Sequence, residues 1–95
     1  MLVLPATARL QALCQMTLVV SDRPDVTQRI MATCCRRQGT VVALVLTRGS
    51  GETAELELAV EVEPRLRRGL IDRIAGLVDV REVRVRDRAV LESGG

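Results

Sequence analysis

The feature that most limits the fold of this chain is an alternation of apolar and acidic residues between positions 54 and 62, which only Ala59 interrupts. Glu55, Glu57 and Glu61 occupy one set of alternate positions. The other set is apolar and comprises Ala54, Leu56, Leu58, Val60 and Val62. Successive side chains of a strand point to opposite faces, so the pattern predicts a strand with one buried face and one solvated or paired face.

Directly after this strand, the spacing of apolar residues changes to that of a helix. Pro64 suits a first helical turn, where its missing N–H is not needed. Residues 80–86 then return to a strand pattern in which valines are mixed with arginines. The predicted apolar stripe of the helix consists of Leu66, Leu70, Ile74 and Leu77, widened by Ile71 and Val78.

The first half of the chain repeats this order of elements. Residues 13–20 predict a mostly buried strand, and the Ser, Asp and Pro residues at 21–25 form a helix-start signal. Gly39 is expected to end the helix as a left-handed cap, and 41–48 predict a second strand before a two-glycine turn. The predicted stripe of this helix contains Val26, Ile30 and Cys34, with Met31 and Cys35 beside them.

The order β-α-β-β-α-β predicts an α+β fold of the ferredoxin-like type, a four-stranded antiparallel sheet with two helices on one face. The domain is expected to span 12–87, between an N-terminal arm at 1–11, ordered or flexible, and a flexible tail at 88–95. The open face of the sheet would carry the three glutamates. Arg84 and Arg86 are available as their partners, although such faces are more often simply solvated.

Composition excludes several classes of function. The 95 residues include no His, Phe, Tyr or Trp, so a nucleophile lacks its usual base and nucleotide bases lack a stacking platform. The net charge is +2 with acids and bases interleaved, which predicts no nucleic-acid partner. No apolar run approaches the roughly 20 residues of a membrane span, and the start is a poor signal peptide. We therefore expect a cytoplasmic protein that is not an enzyme and holds no cofactor.

Three cysteines, Cys14, Cys34 and Cys35, make an odd count in which two are adjacent. Adjacent cysteines are poorly placed for a mutual disulfide, so buried reduced thiols are expected. The alternative is a metal site, which would have to form without a CxxC motif and without histidine. We expect no bound metal.

The segment between the first strand and the first helix is the candidate binding site, and it comprises Asp22, Arg23, Pro24, Asp25 and Val26. The unpaired N–H groups of a helix N-terminus suit a carboxylate or phosphate. The competing interpretation is that Asp22 and Asp25 simply cap the helix.

Two stretches of the sequence carry a resemblance to a known family. DRPDVTQRI resembles the D-x-P-G-V-L-x-R-V/I signature of ACT domains, which are ferredoxin-like amino-acid sensors. AELELAVEVEPRLRRGLIDRIAGLVDVREVRV is similar to the end of the ACT domain in the acetolactate synthase small subunit. The resemblance covers 13–86 and is closest to the short, single-ACT form of that subunit.

The resemblance implies a non-catalytic regulatory subunit in branched-chain amino-acid biosynthesis. Such a subunit binds and activates the large acetolactate synthase subunit, which holds thiamine diphosphate and flavin. The resemblance also implies a homodimer formed through the sheet edge, with sites for a small amino-acid effector at the interface. The alternative is a free-standing ACT-type amino-acid sensor that regulates another enzyme.

Three departures from the family pattern bear on the effector. Asp25 replaces the glycine that lets the backbone approach the ligand, and Thr27 replaces the expected leucine. Gln38 stands where the glycine after the first helix is usual, whereas Asp22 matches the residue that would receive an effector's amino group. We therefore expect weak or absent valine binding with subunit assembly retained.

Overall fold

The computed structural model describes residues 12–49 and 51–86, and its six elements follow the predicted order. The predicted arm at 1–11 and tail at 88–95 lie outside the described residues. The elements are β1 (Ala12–Ser21), α1 (Val26–Arg36), β2 (Thr40–Arg48), β3 (Thr53–Val62), α2 (Pro64–Ala75) and β4 (Val80–Arg86).

The four strands form one sheet in the order β2-β3-β1-β4, and every neighbouring pair is antiparallel. β1 and β3 are therefore central, while β2 and β4 are the edge strands. α1 packs beside β2, α2 packs beside β4, and the helices contact each other. The predicted ferredoxin-like fold is confirmed.

The core lies between the sheet and the two helices. It is built from aliphatic, methionine and cysteine side chains, since the chain has no aromatic residue. Each fully buried Val, Leu, Ile or Met side chain contributes about 1.5–3 kcal/mol through removal from water. The central strands bury Cys14, Met16, Leu18 and Val20 from β1 and Ala54, Leu56, Leu58, Val60 and Val62 from β3.

Three expectations about the helix faces are wrong. Met31 is 46% exposed and Cys35 is exposed, because α1 turns Thr33 toward the core instead. The Thr33 hydroxyl donates a hydrogen bond to the Arg29 carbonyl at 2.9 Å, which satisfies it in the core. Val78 is 85% exposed, since α2 ends at Ala75 and the valine lies in the turn that follows.

The end of α1 also differs from the prediction. Gln38, not Gly39, adopts the left-handed conformation, with φ of 66°. Gly39 N–H donates to the Cys34 carbonyl at 2.8 Å and Gln38 N–H donates to the Cys35 carbonyl at 3.1 Å, a Schellman arrangement. Gly39 is needed for a different reason, since an added Cβ would lie 2.7 Å from Val60 Cγ1.

Candidate functional site

The turn between β1 and α1 is held in place by the loops on either side of it. Ser21 N–H donates to the Asp79 carbonyl at 2.8 Å, which ties the end of β1 to the α2–β4 connection. Asp22 N–H donates to the Glu52 carbonyl at 2.9 Å, which ties the turn to the β2–β3 hairpin. The turn therefore lies at one end of the sheet, fixed through its backbone.

Asp22 is engaged by a cation from β2. Arg48 Nε donates to its carboxylate at 3.0 Å (Oδ2) and 3.3 Å (Oδ1), and 22% of the Asp22 side chain is exposed. Arg48 is the last residue of β2, so this contact joins the turn to the end of an edge strand. The carboxylate that sequence assigned to an effector's amino group thus already has a cationic partner.

Asp25 occupies the N-cap position of α1 but its side chain makes no capping hydrogen bond. Its Oδ2 atom instead lies 3.1 Å from Arg29 Nη2, one helical turn later. Because the Asp22 carboxylate also pairs with an arginine, the interpretation of these two residues as helix caps is wrong.

The other three predicted site residues have distinct environments. Arg23 and Pro24 are exposed at the tip of the turn. Val26 is buried in the core, and its backbone N–H donates to the Arg23 carbonyl at 3.2 Å. The five residues are brought together as one turn, but the Val26 side chain is structural.

Sequence reasoning missed Asp79, a buried acid that faces this turn. Its Oδ2 atom lies 3.4 Å from Arg29 Nη1 and its Oδ1 atom 4.0 Å from Arg23 Nε. The available signal was an acidic residue within an otherwise apolar LVDV stretch. A carboxylate in such a stretch is expected to be buried, and a buried carboxylate needs a cationic partner, so this reasoning could have identified Asp79.

The charges of the turn therefore form two separate groups, the Asp22–Arg48 pair and a chain in which Arg29 links Asp25 to Asp79 and Asp79 also contacts Arg23. Each acid has an arginine within 4.0 Å, so the start of α1 presents no uncompensated positive charge to an anion. A zwitterion could bind only by exchanging with an existing ion pair. The two groups together comprise Asp22, Asp25, Asp79, Arg23, Arg29 and Arg48.

The cysteines do not form a metal centre within the described residues, where no group of three or more His, Cys, Asp or Glu side chains could hold an ion. Cys14 and Cys34 are buried and Cys35 is exposed, so the expectation of buried thiols holds for two of the three. Burial, followed by the proximity of Cys14, raises the pKa of Cys34 to about 11, so this thiol is neutral near pH 7.

The open face of the sheet does not pair Arg84 with the glutamates of β3. Arg84 lies opposite Thr17 of β1, and Thr17 in turn lies opposite Glu57 of β3, so a whole strand separates the two charges. Arg84 Nε instead donates to Glu82 Oε2 at 2.7 Å on its own strand. Glu55 and Glu57 are exposed, in agreement with the solvated interpretation. No helix in the described part of the chain is long and apolar enough to cross a membrane.

Comparison with known proteins gives matches of structure alone. No family model and no curated protein matches this chain. The ACT domain of GTP pyrophosphokinase from Chlorobium tepidum matches with a TM-score of 0.64 and 17% identity, over 79% of this chain and 97% of that one. The C-terminal domain of the MgtC protein from Mycobacterium tuberculosis matches with a TM-score of 0.61 and 14% identity, over 80% and 85%.

A third similar structure is a homoserine dehydrogenase from Thiobacillus denitrificans, with a TM-score of 0.67 and 19% identity. The match covers 86% of this chain but only 18% of that enzyme, so it concerns one small region of a much longer protein. At these identities the matches establish the fold that the chain shares with ACT domains.

Proposed function

We propose that this chain is a non-catalytic regulatory subunit that binds and activates the large, thiamine-diphosphate-dependent subunit of acetolactate synthase in the cytoplasm. Two independent supports are the fold shared with ACT domains and the DRPDVTQRI and LVDV resemblances in the sequence. The cofactors and the catalytic residues would belong to the large subunit.

The observation that carries the proposal is the position of the β1–α1 turn beside β2, which is an edge strand of the described sheet. The Asp22–Arg48 contact links the turn to the last residue of that strand. If two copies pair along β2, each turn comes close to the dimer interface. A change at the turn could then alter how the copies pair and how they meet a large subunit.

β2 is the edge that suits such pairing. All its residues are at least partly exposed in the single chain, and Val42 and Val45 are 49% and 56% exposed. The strand TVVALVLTR has no charge before Arg48, whereas four of the seven residues of β4 are charged. Charged side chains protect an edge strand from pairing, and apolar ones leave it available.

The dimer is tested by placing the same charge on each edge. In the Val45→Glu variant, a β2 pairing about a two-fold axis would bring two carboxylates close together, so we expect a monomer in analytical ultracentrifugation. Val85→Glu on β4 is the matched control, since Val85 is 38% exposed and should leave the dimer intact. A monomeric parent chain, or a Val85→Glu variant that also dissociates, would contradict pairing through β2.

For the effector, we propose that the Arg48 guanidinium competes with an amino acid's ammonium group for Asp22. Valine should therefore bind weakly to the unmodified chain, and Arg48→Gln should tighten binding by releasing the carboxylate. Isothermal titration calorimetry with valine measures both. Tight binding to the unmodified chain, or no change in Arg48→Gln, would argue against this competition.

The catalytic partner is tested by co-expression with the acetolactate synthase large subunit of the same organism. We expect the two chains to co-purify and the rate of acetolactate formation to rise when this chain is added. A large subunit that is fully active alone and does not co-purify would refute the assignment, whatever the outcome for dimerisation or valine.

The runner-up is an ACT-type sensor that regulates a different enzyme, favoured by the similarity to a small region of a homoserine dehydrogenase. A sensor must be stabilised by its ligand in proportion to the ligand's affinity. A thermal-shift screen over the amino acids would therefore separate the two. A clear shift combined with no binding to the large subunit would favour the sensor.

A further inference from the structure

The helix layer carries a charged surface that the proposed function does not use. α1 and α2 contain six arginines and a single acidic residue, Asp72. Between the helices lies an open groove, the arginine groove, made of three adjoining depressions that share Arg37, of which the largest is about 450 Å³. Its lining includes Arg36, Arg37, Arg65, Gly69, Arg73 and Leu77.

Three arginines of this groove have no counterion in the described part of the chain. The side chains of Arg36, Arg37 and Arg73 form no ion pair or hydrogen bond with residues 12–49 or 51–86, whereas Arg65 Nε lies 3.0 Å from Glu63 Oε1. Like charges crowded together raise the local potential and attract anions. The groove is thus a positive surface on a chain whose net charge is only +2.

Arg37 is the central residue of the groove. It is half-buried and forms the C-cap of α1, and its Nη1 atom lies 4.0 Å from where a Cβ would stand on Gly69 of α2. Partial burial removes water from the guanidinium. Asp72 also lines the groove, but no carboxylate among residues 12–49 and 51–86 forms an ion pair with Arg37. An anion entering the groove would restore that interaction with charge-assisted hydrogen bonds.

The shape and floor of the groove favour an extended chain over a compact anion. Arg65 and Leu77 are 12 positions apart, which corresponds to about 18 Å along a helix axis. Roughly five or six residues of extended peptide span this distance. Leu66 and Leu77 are half-buried at the two ends of the lining, and Gly69 exposes helix backbone between them. Arginines around an apolar floor are typical of protein interfaces, and a polyphosphate would not use such a floor.

We propose that the arginine groove binds an extended acidic segment of a partner protein. Its carboxylates would pair with Arg36, Arg37 and Arg73, and its apolar side chains would cover Leu66 and Leu77. This interaction goes beyond the regulatory role proposed above, because it uses neither the β1–α1 turn nor the β2 edge.

The test is an NMR titration of the full, ¹⁵N-labelled chain with a blocked Glu-Leu-Glu-Glu-Leu-Glu peptide. We expect saturable amide shifts at residues 36–38, 69, 73 and 77, with a Kd on the order of 1 mM or tighter, corresponding to about −4 kcal/mol. The matched peptide Gln-Leu-Gln-Gln-Leu-Gln should leave these amides unchanged.

Two double variants with the same change of charge locate the site. Arg37→Gln with Arg73→Gln should weaken peptide binding about 10-fold or more, because two charge-assisted contacts are lost. Arg81→Gln with Arg86→Gln, on β4, should leave the affinity unchanged. The ¹⁵N spectra of both variants confirm that the fold is retained.

The following outcomes would overturn the proposal. They are the absence of saturable shifts, equal weakening by the two double variants, equal binding of the glutamine peptide, and inorganic tripolyphosphate binding at the same amides more tightly than the peptide. Shifts at the groove that grow with protein concentration and exclude the peptide would identify a second copy as the occupant, which also contradicts it.

Discussion

The two β-α-β halves of this chain share one architecture but attach their edge strands by different physical means. In the first half, α1 leads into β2 through Gly39, which lies so close to Val60 that no side chain would fit. In the second half, α2 leads into β4 through Asp79, whose buried carboxylate lies within 4.0 Å of Arg23 and Arg29. One connection depends on close packing, and the other depends on charge.

The edge strands continue this contrast. Each contains an extra residue that breaks the register with its neighbour, Val42 in β2 and Arg81 in β4. Such bulges are common at sheet edges. In β2 the bulged Val42 lies between two apolar residues, whereas in β4 the bulged residue is itself charged and is followed by Glu82. By the character of its side chains, β2 is therefore less protected against strand pairing than β4.

The largest expected effect comes from adding one methyl group to each connection. Gly39→Ala should lower the free energy of unfolding by about 2 kcal/mol, because the methyl overlaps the stiff, buried Val60 side chain. Gly76→Ala is the matched control: its Cβ would lie 3.5 Å from the nearest atom, so we expect a gain of about 0.5 kcal/mol. Urea unfolding measures both changes in stability. Equal effects of the two substitutions would show that the first connection does not depend on close packing at Gly39.

Alkaline pH should destabilise the protein through the first half, which contains all three cysteines. The folded pKa of Cys34 is about 11 against an ordinary 9.0, so between these values the unfolded chain releases a proton that the folded chain keeps. Stability therefore falls as pH rises through this window, by up to about 2 kcal/mol.

The chain contains neither Lys nor Tyr, so no ammonium or phenol side chain contributes to this pH dependence. In Cys34→Ala, the loss of stability between pH 9 and 11 should be clearly smaller than in the parent chain, although the variant is less stable overall. Met31→Ala is the control, since it changes an exposed side chain of the same helix that carries no titratable group. Identical slopes for Cys34→Ala and the parent chain would contradict the assignment.

Removing the charge of Asp79 from the second connection should lower the stability less than Gly39→Ala does. Asp79→Asn keeps the shape of the side chain but removes its charge, and the partner arginines are more than half exposed, so we expect a loss of about 1 kcal/mol. The loss should shrink at high salt, unlike that of Gly39→Ala. Asp72→Asn, an exposed acid on α2, should cost less than about 0.5 kcal/mol. A loss in Asp79→Asn that is independent of salt would mean that packing holds this connection as well.

The smallest expected effect is a gain in stability from a substitution at the end of α1. Gln38 has a φ of 66°, a conformation that strains residues other than glycine, so Gln38→Gly should stabilise the protein by about 0.5–1 kcal/mol. The same substitution at the exposed helical position Gln28 should destabilise it by about 1 kcal/mol. Urea unfolding measures both changes in stability. If both substitutions destabilise the protein, Gln38 is not strained.

Much of the fold could be predicted because the two central strands have simple patterns. Buried strands alternate with a period of two, and β1 and β3 keep that period without exception in their buried residues. The errors occurred at helix margins and turns. Met31 and Cys35 are apolar residues beside a stripe, and a small rotation of α1 exposes them while it buries Thr33. Helical periodicity does not resolve such a rotation.

The candidate turn was located by sequence, but its chemistry was not. Asp22 and Asp25 suggest caps or ligands to a reader of the linear chain. The partner of Asp25 is Arg29, four residues later, but the partner of Asp22 comes from the end of a different strand. Arg48 lies 26 positions from Asp22, and Asp79 lies 50 positions from Arg29. Contacts over such separations depend on which strands are neighbours, and that information is absent from local patterns.

The sequence by itself determined the order of elements, the buried face of each central strand and the lack of a histidine- or aromatic-based site, because these follow from periodicity and composition. Only the tertiary structure decided where the charges lie. Acids and arginines alternate along the chain, yet strand pairing and helix packing place the glutamates of β3 on the open sheet face and Arg36, Arg37 and Arg73 between the helices. The physical reason is that the surface a side chain reaches depends on the packing of its whole element.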